Sequence, residues 1–278
     1  VPLNTQWHFT GPDGSEYLVP VPNRWEKTYG QILPRFGQGV YRLTLQLPPE
    51  GVGQNLKFYN ELIAGTTFRL YVNEKLVGYN GLYLGSSSRI SQFSVFEAQQ
   101  GEMHIRLEVN NQTLHWSGLV RPLWLGYNDT ISHKDHRRTL EFNIFFGAFF
   151  FLALFHMVLY LFFPQDRSAL WFGLMTFSSV VYMEFFRMHN LEYLFGDIPL
   201  EWNIRGLRLG LYWILPCFFW YVQSLAPDKV SPGGPGFLTG LALVFSLSLV
   251  LPGQIHSYVM LLWFMLMILG VFYQMALG

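Results

Sequence analysis

Residues 142–163 read FNIFFGAFFFLALFHMVLYLFF. Only Asn143 and His156 in this stretch are strongly polar. At a rise of about 1.5 Å per residue the stretch spans roughly 33 Å as a helix, slightly more than the roughly 30 Å hydrocarbon core of a bilayer. A water-soluble helix carries a polar face, and this one has none. It reads as a transmembrane helix. It also divides the chain between two solvents: what precedes it is patterned for water, and almost everything after it is patterned for lipid.

The composition follows from that division. Of 278 residues, 51% are apolar and 18% aromatic, and only 13% are charged, about half the usual share for a soluble domain. One average covers two compositions, and two domains are expected. The formal net charge is zero. With no Lys/Arg-rich patch, nucleic acid is excluded as a partner. The single cysteine, Cys217, lies in an apolar segment and reads as a small buried hydrophobe. The chain begins at Val1 with no leader, and the expectation is that a signal peptide has been removed or left out.

Residues 1–130 are expected to form an antiparallel β-sandwich of the jelly-roll type. Tyr41, Leu43, Leu45 and Leu47 alternate with Arg42, Thr44 and Gln46. Phe68, Leu70 and Val72 alternate with Arg69 and Tyr71, and Met103, Ile105, Leu107 and Val109 alternate with His104, Arg106 and Glu108. A period of two buries one face of a strand and wets the other. Between the runs lie turn clusters such as Gly11-Pro12-Asp13-Gly14 and Pro48-Pro49-Glu50-Gly51.

Trp7-His8-Phe9, Val21-Pro22-Asn23-Arg24-Trp25, Gly39-Val40-Tyr41-Arg42-Leu43 and the run Arg69 to Gly78 with Asn80-Gly81 follow a recognisable order. Together they resemble the galactose-binding-type jelly roll of sugar-binding modules in glycosidases. They are still more similar to the extracellular domain of bacterial seven-transmembrane receptors with diverse intracellular signalling modules. One departure is Asn73-Glu74, where that pattern usually has Asn-Gly. A type I′ hairpin turn needs positive φ at both residues, so Glu74 would be strained there, and the turn type stays open. Trp25, Tyr83 and Trp116 are candidates for stacking on a sugar face, with Asn80, Arg89 and Arg121 supplying hydrogen bonds. The alternative is that the aromatic residues fill the sandwich core.

Residues 131–141 read as a juxtamembrane connector that either continues the first helix or leads into it. The region 142–278 is then an α-helical transmembrane bundle with about five spans: 142–163, 169–188, 204–225, 237–251 and 258–277. With the sandwich outside, the inner loops hold Arg167 and Lys229 while the long outer loop holds Glu192, Asp197 and Glu201. This charge pattern and the resemblance imply a multi-pass protein of the bacterial inner membrane with a periplasmic N-terminal domain. The order Trp116 to Gly126, Leu154-Phe155-His156, Leu159-Tyr160-Leu161, Asp166-Arg167-Ser168 and Trp171-Phe172-Gly173-Leu174 is similar to the start of the seven-helix region of the same receptors. Their full number of spans implies that this chain is a receptor truncated after about five.

Ionisable groups within the spans are candidates for function. His156 is one; its bland reading is a neutral ring bonded to a neighbour. Glu184 and Arg187 share a helix face, as do Arg205 and Arg208. These four are expected to form an ion-pair cluster or, alternatively, an anion pocket. Pro216 is expected to kink its helix.

The resemblance implies a receptor whose sandwich senses a small, carbohydrate-like ligand and signals through the bundle to a cytoplasmic output module. In the family that output is typically a kinase, cyclase or phosphatase, and none lies in this chain. A homodimer is a possible assembly. A membrane-tethered carbohydrate-active enzyme is the first alternative, but no carboxylate pair sits in a catalytic motif, and Gly-x-Ser-x-Gly, His-Glu-x-x-His and phosphate-loop patterns are absent. No enzyme activity, cofactor or metal is expected within these residues. A transporter is the second alternative. It would show broken helices and paired polar groups at mid-membrane.

Overall fold

A computed structural model describes residues 1–27, 33–60, 63, 67–80, 91–99, 101–112, 117–188, 190–196, 198–228, 230, 233–251 and 253–277, with side chains at all of these except 91, 187, 188, 193, 200, 253–258 and 273–277. The chain divides into two compact units, Val1–Arg138 and Thr139–Gly278.

The first unit is built on antiparallel strands: β1 (Gln6–Thr10), β2 (Glu16–Pro20), β3 (Gly37–Gln46), β4 (Asn55–Asn60), β5 (Thr67–Val72), β6 (Lys75–Asn80), β7 (Ser91–Phe93), β8 (Phe96–Glu97), β9 (Glu102–Asn111) and β10 (Leu123–Tyr127). They form a seven-stranded sheet, ordered β2-β1-β3-β9-β5-β6-β7, and a three-stranded sheet, ordered β10-β4-β8. The three alternating runs of the sequence are the neighbours β3, β9 and β5 at the middle of the larger sheet. The register of β3 on β9 runs from Gly37 opposite Asn111 to Gln46 opposite Glu102. Met103, Ile105, Leu107 and Val109 are all buried, as the period of two requires. They share one core with Leu56, Phe58, Phe96, Leu123 and Leu125 from the smaller sheet. This two-sheet architecture is the expected β-sandwich.

At the core's aromatic centre the ring of Phe9 lies 4.5 Å from that of Tyr41 and 5.8 Å from that of Trp25. Gly39 makes this packing possible, because a Cβ there would come within 2.7 Å of both the Phe9 and Trp25 rings. The β5–β6 hairpin settles the open turn. Asn73 and Glu74 have φ of 47° and 63°, so both residues are left-handed, as a type I′ turn demands. Two contacts hold the turn. Asn73 Oδ1 accepts from His104 N at 2.8 Å, and Glu74 Oε2 pairs with Arg106 Nη2 at 2.5 Å.

Helix α1 (Asn128–Phe162) follows β10 directly. The connector is therefore the first turns of α1, and the helix starts three residues earlier than that segment. These turns pack on the smaller sheet. Ile131 is buried and covers Gly126, Lys57 Nζ donates to Ser132 Oγ at 3.3 Å, and Lys134 Nζ lies 3.0 Å from the Trp124 ring centre. Further along, Phe145, Phe151, Phe155 and Leu161 are at least 60% exposed, which suits a lipid-facing helix.

The second unit continues with α2 (Arg167–Met183), a π-helical turn over Glu184–Met188, the short α3 (Asn190–Phe195), α4 (Leu200–Leu225), α5 (Gly233–Leu247), a 3₁₀ turn over Ser248–Val250, and α6 (Gly253–Leu277). All five expected spans fall on helices. Among the described residues three helices are long and apolar enough to cross a membrane: Asn128–Phe162, Arg167–Phe186 and Gly233–Val250. The remaining two expected spans differ from these. In α4, Glu201, Arg205 and Arg208 crowd the N-terminal turns. In α6 the described apolar stretch is Val259–Phe272.

α2 and α4 touch backbone to backbone at Gly210, where a Cβ would come within 2.6 Å of Tyr182 N and 2.8 Å of Ser178 O. Such close approach through small residues is how helices associate in lipid. α4 and α5 are joined by Trp220 Nε1 donating to Thr239 Oγ1 at 2.8 Å and Trp213 Nε1 donating to Ser246 Oγ at 3.2 Å. α4 runs as one helix through Pro216.

Candidate functional site

The strand register gathers four loops at one end of the sandwich. β4, β6 and β9 finish there, at Asn60, Asn80 and Asn111. β3, β5, β7 and β10 begin there, since Gly37 faces Asn111, Thr67 faces Asn110, Ser91 faces Asn80 and Leu123 faces Asn60. The segments after β4, β6 and β9 therefore leave and re-enter the sandwich at this end, and the segment leading into β3 arrives there from the other end. Loops held on a rigid frame are where binding residues concentrate.

Three asparagines fix the frame. Asn60 Nδ2 donates to the carbonyls of Arg121 and Pro122 at 3.0 and 2.9 Å. Asn80 Oδ1 accepts from Phe68 N at 3.1 Å, and Asn111 Nδ2 donates to the Arg35 carbonyl at 3.0 Å. All three side chains are buried. Each sits at the last residue of a strand and satisfies backbone groups where the ladder stops. Close by, Ser117 Oγ donates to Glu26 Oε2 at 2.7 Å, and the Tyr41 hydroxyl donates to Asn23 Oδ1 at 3.1 Å. Burial pushes the Tyr41 phenol well above its ordinary value, and the charge of Glu26 adds to the shift.

The candidates at this end separate. Arg121 is exposed, and its backbone is held by Asn60. Asn80 is buried, and its Oδ1 accepts from Phe68 N at the loop end. Trp25 is corrected outright. It is fully buried, stacks on Phe9, and its Nε1–H donates to the Pro34 carbonyl at 3.0 Å; the core alternative holds for it. Tyr83, Arg89 and Trp116 lie outside the described residues. Sequence reasoning passed over Asn60 and Asn111 as frame residues, although Asn111 follows directly on an alternating run.

The polar groups of the helical region also sort themselves, and the expected ion-pair cluster is not what the described residues form. Glu184 is buried at the π-helical turn and accepts from Leu191 N at 2.5 Å and Asn190 Nδ2 at 3.1 Å, closing the start of α3. Arg205 pairs instead with Glu201, one turn earlier on α4, at 3.1 Å, and lies over the Trp202 ring. The i, i+4 spacing needs no second helix. Asn203 Nδ2 donates to Glu192 Oε1 at 2.9 Å. The side chain of Arg187 lies outside the described residues. Arg208 is buried with no ion pair among the described residues, and its Nη1 is without a hydrogen-bond partner. His156 bonds within its own helix and not to a neighbouring one: its Nδ1 lies 2.9 Å from the Leu152 carbonyl, and its ring packs on Phe172 of α2. Because a carbonyl only accepts, Nδ1 carries the proton.

A β-sandwich with a loop-bearing end, followed by helices apolar enough to cross a bilayer, defines a membrane protein with a separate water-facing domain. The profile of the 7TM diverse intracellular signalling family matches residues 138–278, just over half of the chain. The chain belongs to that family, a family of transmembrane signalling receptors. No curated protein matches it. Among solved structures, Ruminococcus gnavus β-glucuronidase is similar over 45% of this chain and 27% of its own, at 13% identity and a TM-score of 0.36. The FMN-binding β-glucuronidase from Facaelibacterium prausnitzii L2-6 is similar over 45% of this chain and 22% of its own, at 21% identity and a TM-score of 0.33. The chain thus spans about a quarter of the length of these proteins.

Proposed function

We propose that this chain is the sensing and membrane part of a bacterial inner-membrane receptor. Its sandwich faces the periplasm, takes up a small carbohydrate-like ligand at the loop end, and signals through the helices to a cytoplasmic output domain. The observation that carries the reading is the convergence of the loops after β4, β6 and β9 and before β3 on one end of a rigid sandwich. That end holds the exposed Arg121, and the chain enters the Tyr83, Arg89 and Trp116 segments there. Arg121 supplies a hydrogen-bonding cation for hydroxyl groups. The orientation rests on the sequence charge pattern, with Arg167 and Lys229 between spans expected on one side and Glu192, Asp197 and Glu201 between spans expected on the other.

Calorimetry of the full chain in lipid nanodiscs against a panel of neutral and acidic monosaccharides, disaccharides and polyols tests the reading. It expects saturable heat with at least one class. Trp116→Ala and Arg121→Ala should weaken that heat at least tenfold while the sandwich melts as before. Absence of heat across the panel would overturn ligand sensing of this class.

A further inference from the structure

α4 carries two buried donors that have no hydrogen-bond partner among the described residues. Arg208 is 5% exposed and its Nη1 has no hydrogen-bond partner. Tyr212 is fully buried and its hydroxyl is likewise without one. The two residues are one helical turn apart and so lie on the same face of α4. The Tyr212 ring fixes which way that face looks, for it packs against Phe245 of α5 at 5.8 Å and Trp263 of α6 at 4.8 Å. Tyr212 belongs to an apolar cluster with Leu238, Ala242, Phe245, Leu249, Trp263 and Met267. Neighbouring carboxylates are already engaged: Glu184 with α3, Glu192 with Asn203, and Glu201 with Arg205.

A buried guanidinium nitrogen and a buried hydroxyl that find no partner among the described residues are expensive and persist where something compensates them. We propose that Arg208 and Tyr212 form an anion site inside the helical region, and that its ligand is a monocarboxylate. The charge count selects the class. One guanidinium balances one negative charge, whereas a phosphate dianion would leave a net negative charge among apolar side chains. The two carboxylate oxygens answer two separate donors, the guanidinium taking the charge-assisted bond and the phenol the second. The carboxylate can belong to a small acid or to a tail-bearing one from the bilayer, and the chain length of the probe distinguishes them. This site is distinct from the loop end of the sandwich and goes beyond the sugar-sensing reading.

The test is the thermal melt of the full chain in lipid nanodiscs, titrated with sodium acetate, sodium octanoate, sodium chloride and sodium phosphate at matched ionic strength. Acetate, octanoate or both should raise Tm saturably, with chloride and phosphate much weaker. A preference for octanoate indicates a tail-bearing ligand, and equal effects indicate a small acid. Arg208→Gln should abolish the saturable shift. Tyr212→Phe, which deletes one oxygen from a packed ring, should weaken it about fivefold, the worth of one ordinary hydrogen bond. The proposal is overturned by the absence of a saturable carboxylate shift in the parent chain, or by a shift that survives Arg208→Gln. If Arg208→Gln does not fold, Tyr212→Phe decides alone, and an unchanged midpoint there overturns the site.

Discussion

Trp25 separates a residue that holds the sandwich from one that serves a ligand, and Trp25→Ala measures which it is. The side chain is fully buried, stacks on Phe9 with ring centres 5.8 Å apart, lies against Gly39, and donates to the Pro34 carbonyl at 3.0 Å. Truncating a buried tryptophan to alanine removes about 3–5 kcal/mol. The lost bond leaves a carbonyl short of its donor and adds up to about 1 kcal/mol. Against a total stability of about 5–15 kcal/mol this is a large fraction. For a domain of this size about 1 kcal/mol shifts the melting temperature by roughly 3–5 °C, so the expected fall is roughly 10–30 °C. The assay is a circular dichroism melt of residues 1–138, the first compact unit. Arg121→Ala serves as the control because its side chain is exposed, and its melt should stay within about 2 °C of the parent. A Trp25→Ala melt also within about 2 °C would refute the core assignment and return Trp25 to the candidate ligand site.

The other expectations are smaller in scale. Glu74→Gln keeps the left-handed backbone but removes the Arg106 pair; since Glu74 is largely exposed, the loss in a urea melt should be no more than about 1 kcal/mol and should fade with salt. Gly210→Val forces a side chain into the Tyr182 and Ser178 backbone; it should destabilise the helical region by about 1–3 kcal/mol or more, read as earlier thermal aggregation in detergent, and an unchanged profile would contradict the close α2–α4 contact. Tyr41 supplies a pH dependence. Its folded pKa is raised from 10.0 by burial, so the neutral phenol is the form the fold prefers. The stability this contributes is complete below about pH 10 and is lost as pH climbs from there toward the folded value. Urea melts of residues 1–138 should steepen their loss above pH 10, and Tyr41→Phe should flatten that slope; equal slopes would contradict it.

The sandwich was legible where hydrophobic alternation is strong. The three alternating runs became adjacent strands at the middle of the larger sheet, because strands buried on one face must keep that alternation. β1, β4 and β10 carry weaker periodicity, and the pairing of β4 with β10 joins strands far apart along the chain. Glu74 shows a local rule overridden: an unfavourable residue sits in a type I′ turn because Arg106 and His104 hold both turn residues from the neighbouring strand. Asn80 and Trp25 show the limit of reading residue type alone. Both have the chemistry of a sugar site; Trp25 is fully buried and stacked on Phe9, and Asn80 is buried with its Oδ1 bonded to Phe68 N. In the helical region the spacing of Glu184 and Arg187 drew attention away from Glu201 and Arg205, an i, i+4 pair that was equally visible. What the sequence could not reveal is that Glu184 would be taken up by the backbone of α3, leaving Arg208 with no ion pair among the described residues.

The central claim is a receptor whose sandwich faces one side of a membrane while the α4–α5 loop faces the other. Labelling of single cysteines with a membrane-impermeant maleimide tests it most directly, in a Cys217→Ser background that removes the one native thiol. Gln54→Cys reports on the sandwich and Asp228→Cys on the α4–α5 loop, both at exposed positions. In bacterial cells with a permeabilised outer membrane, the account predicts that Gln54→Cys labels at once and that Asp228→Cys labels only after the inner membrane is lysed. Labelling of both before lysis, or of Asp228→Cys alone, would contradict it.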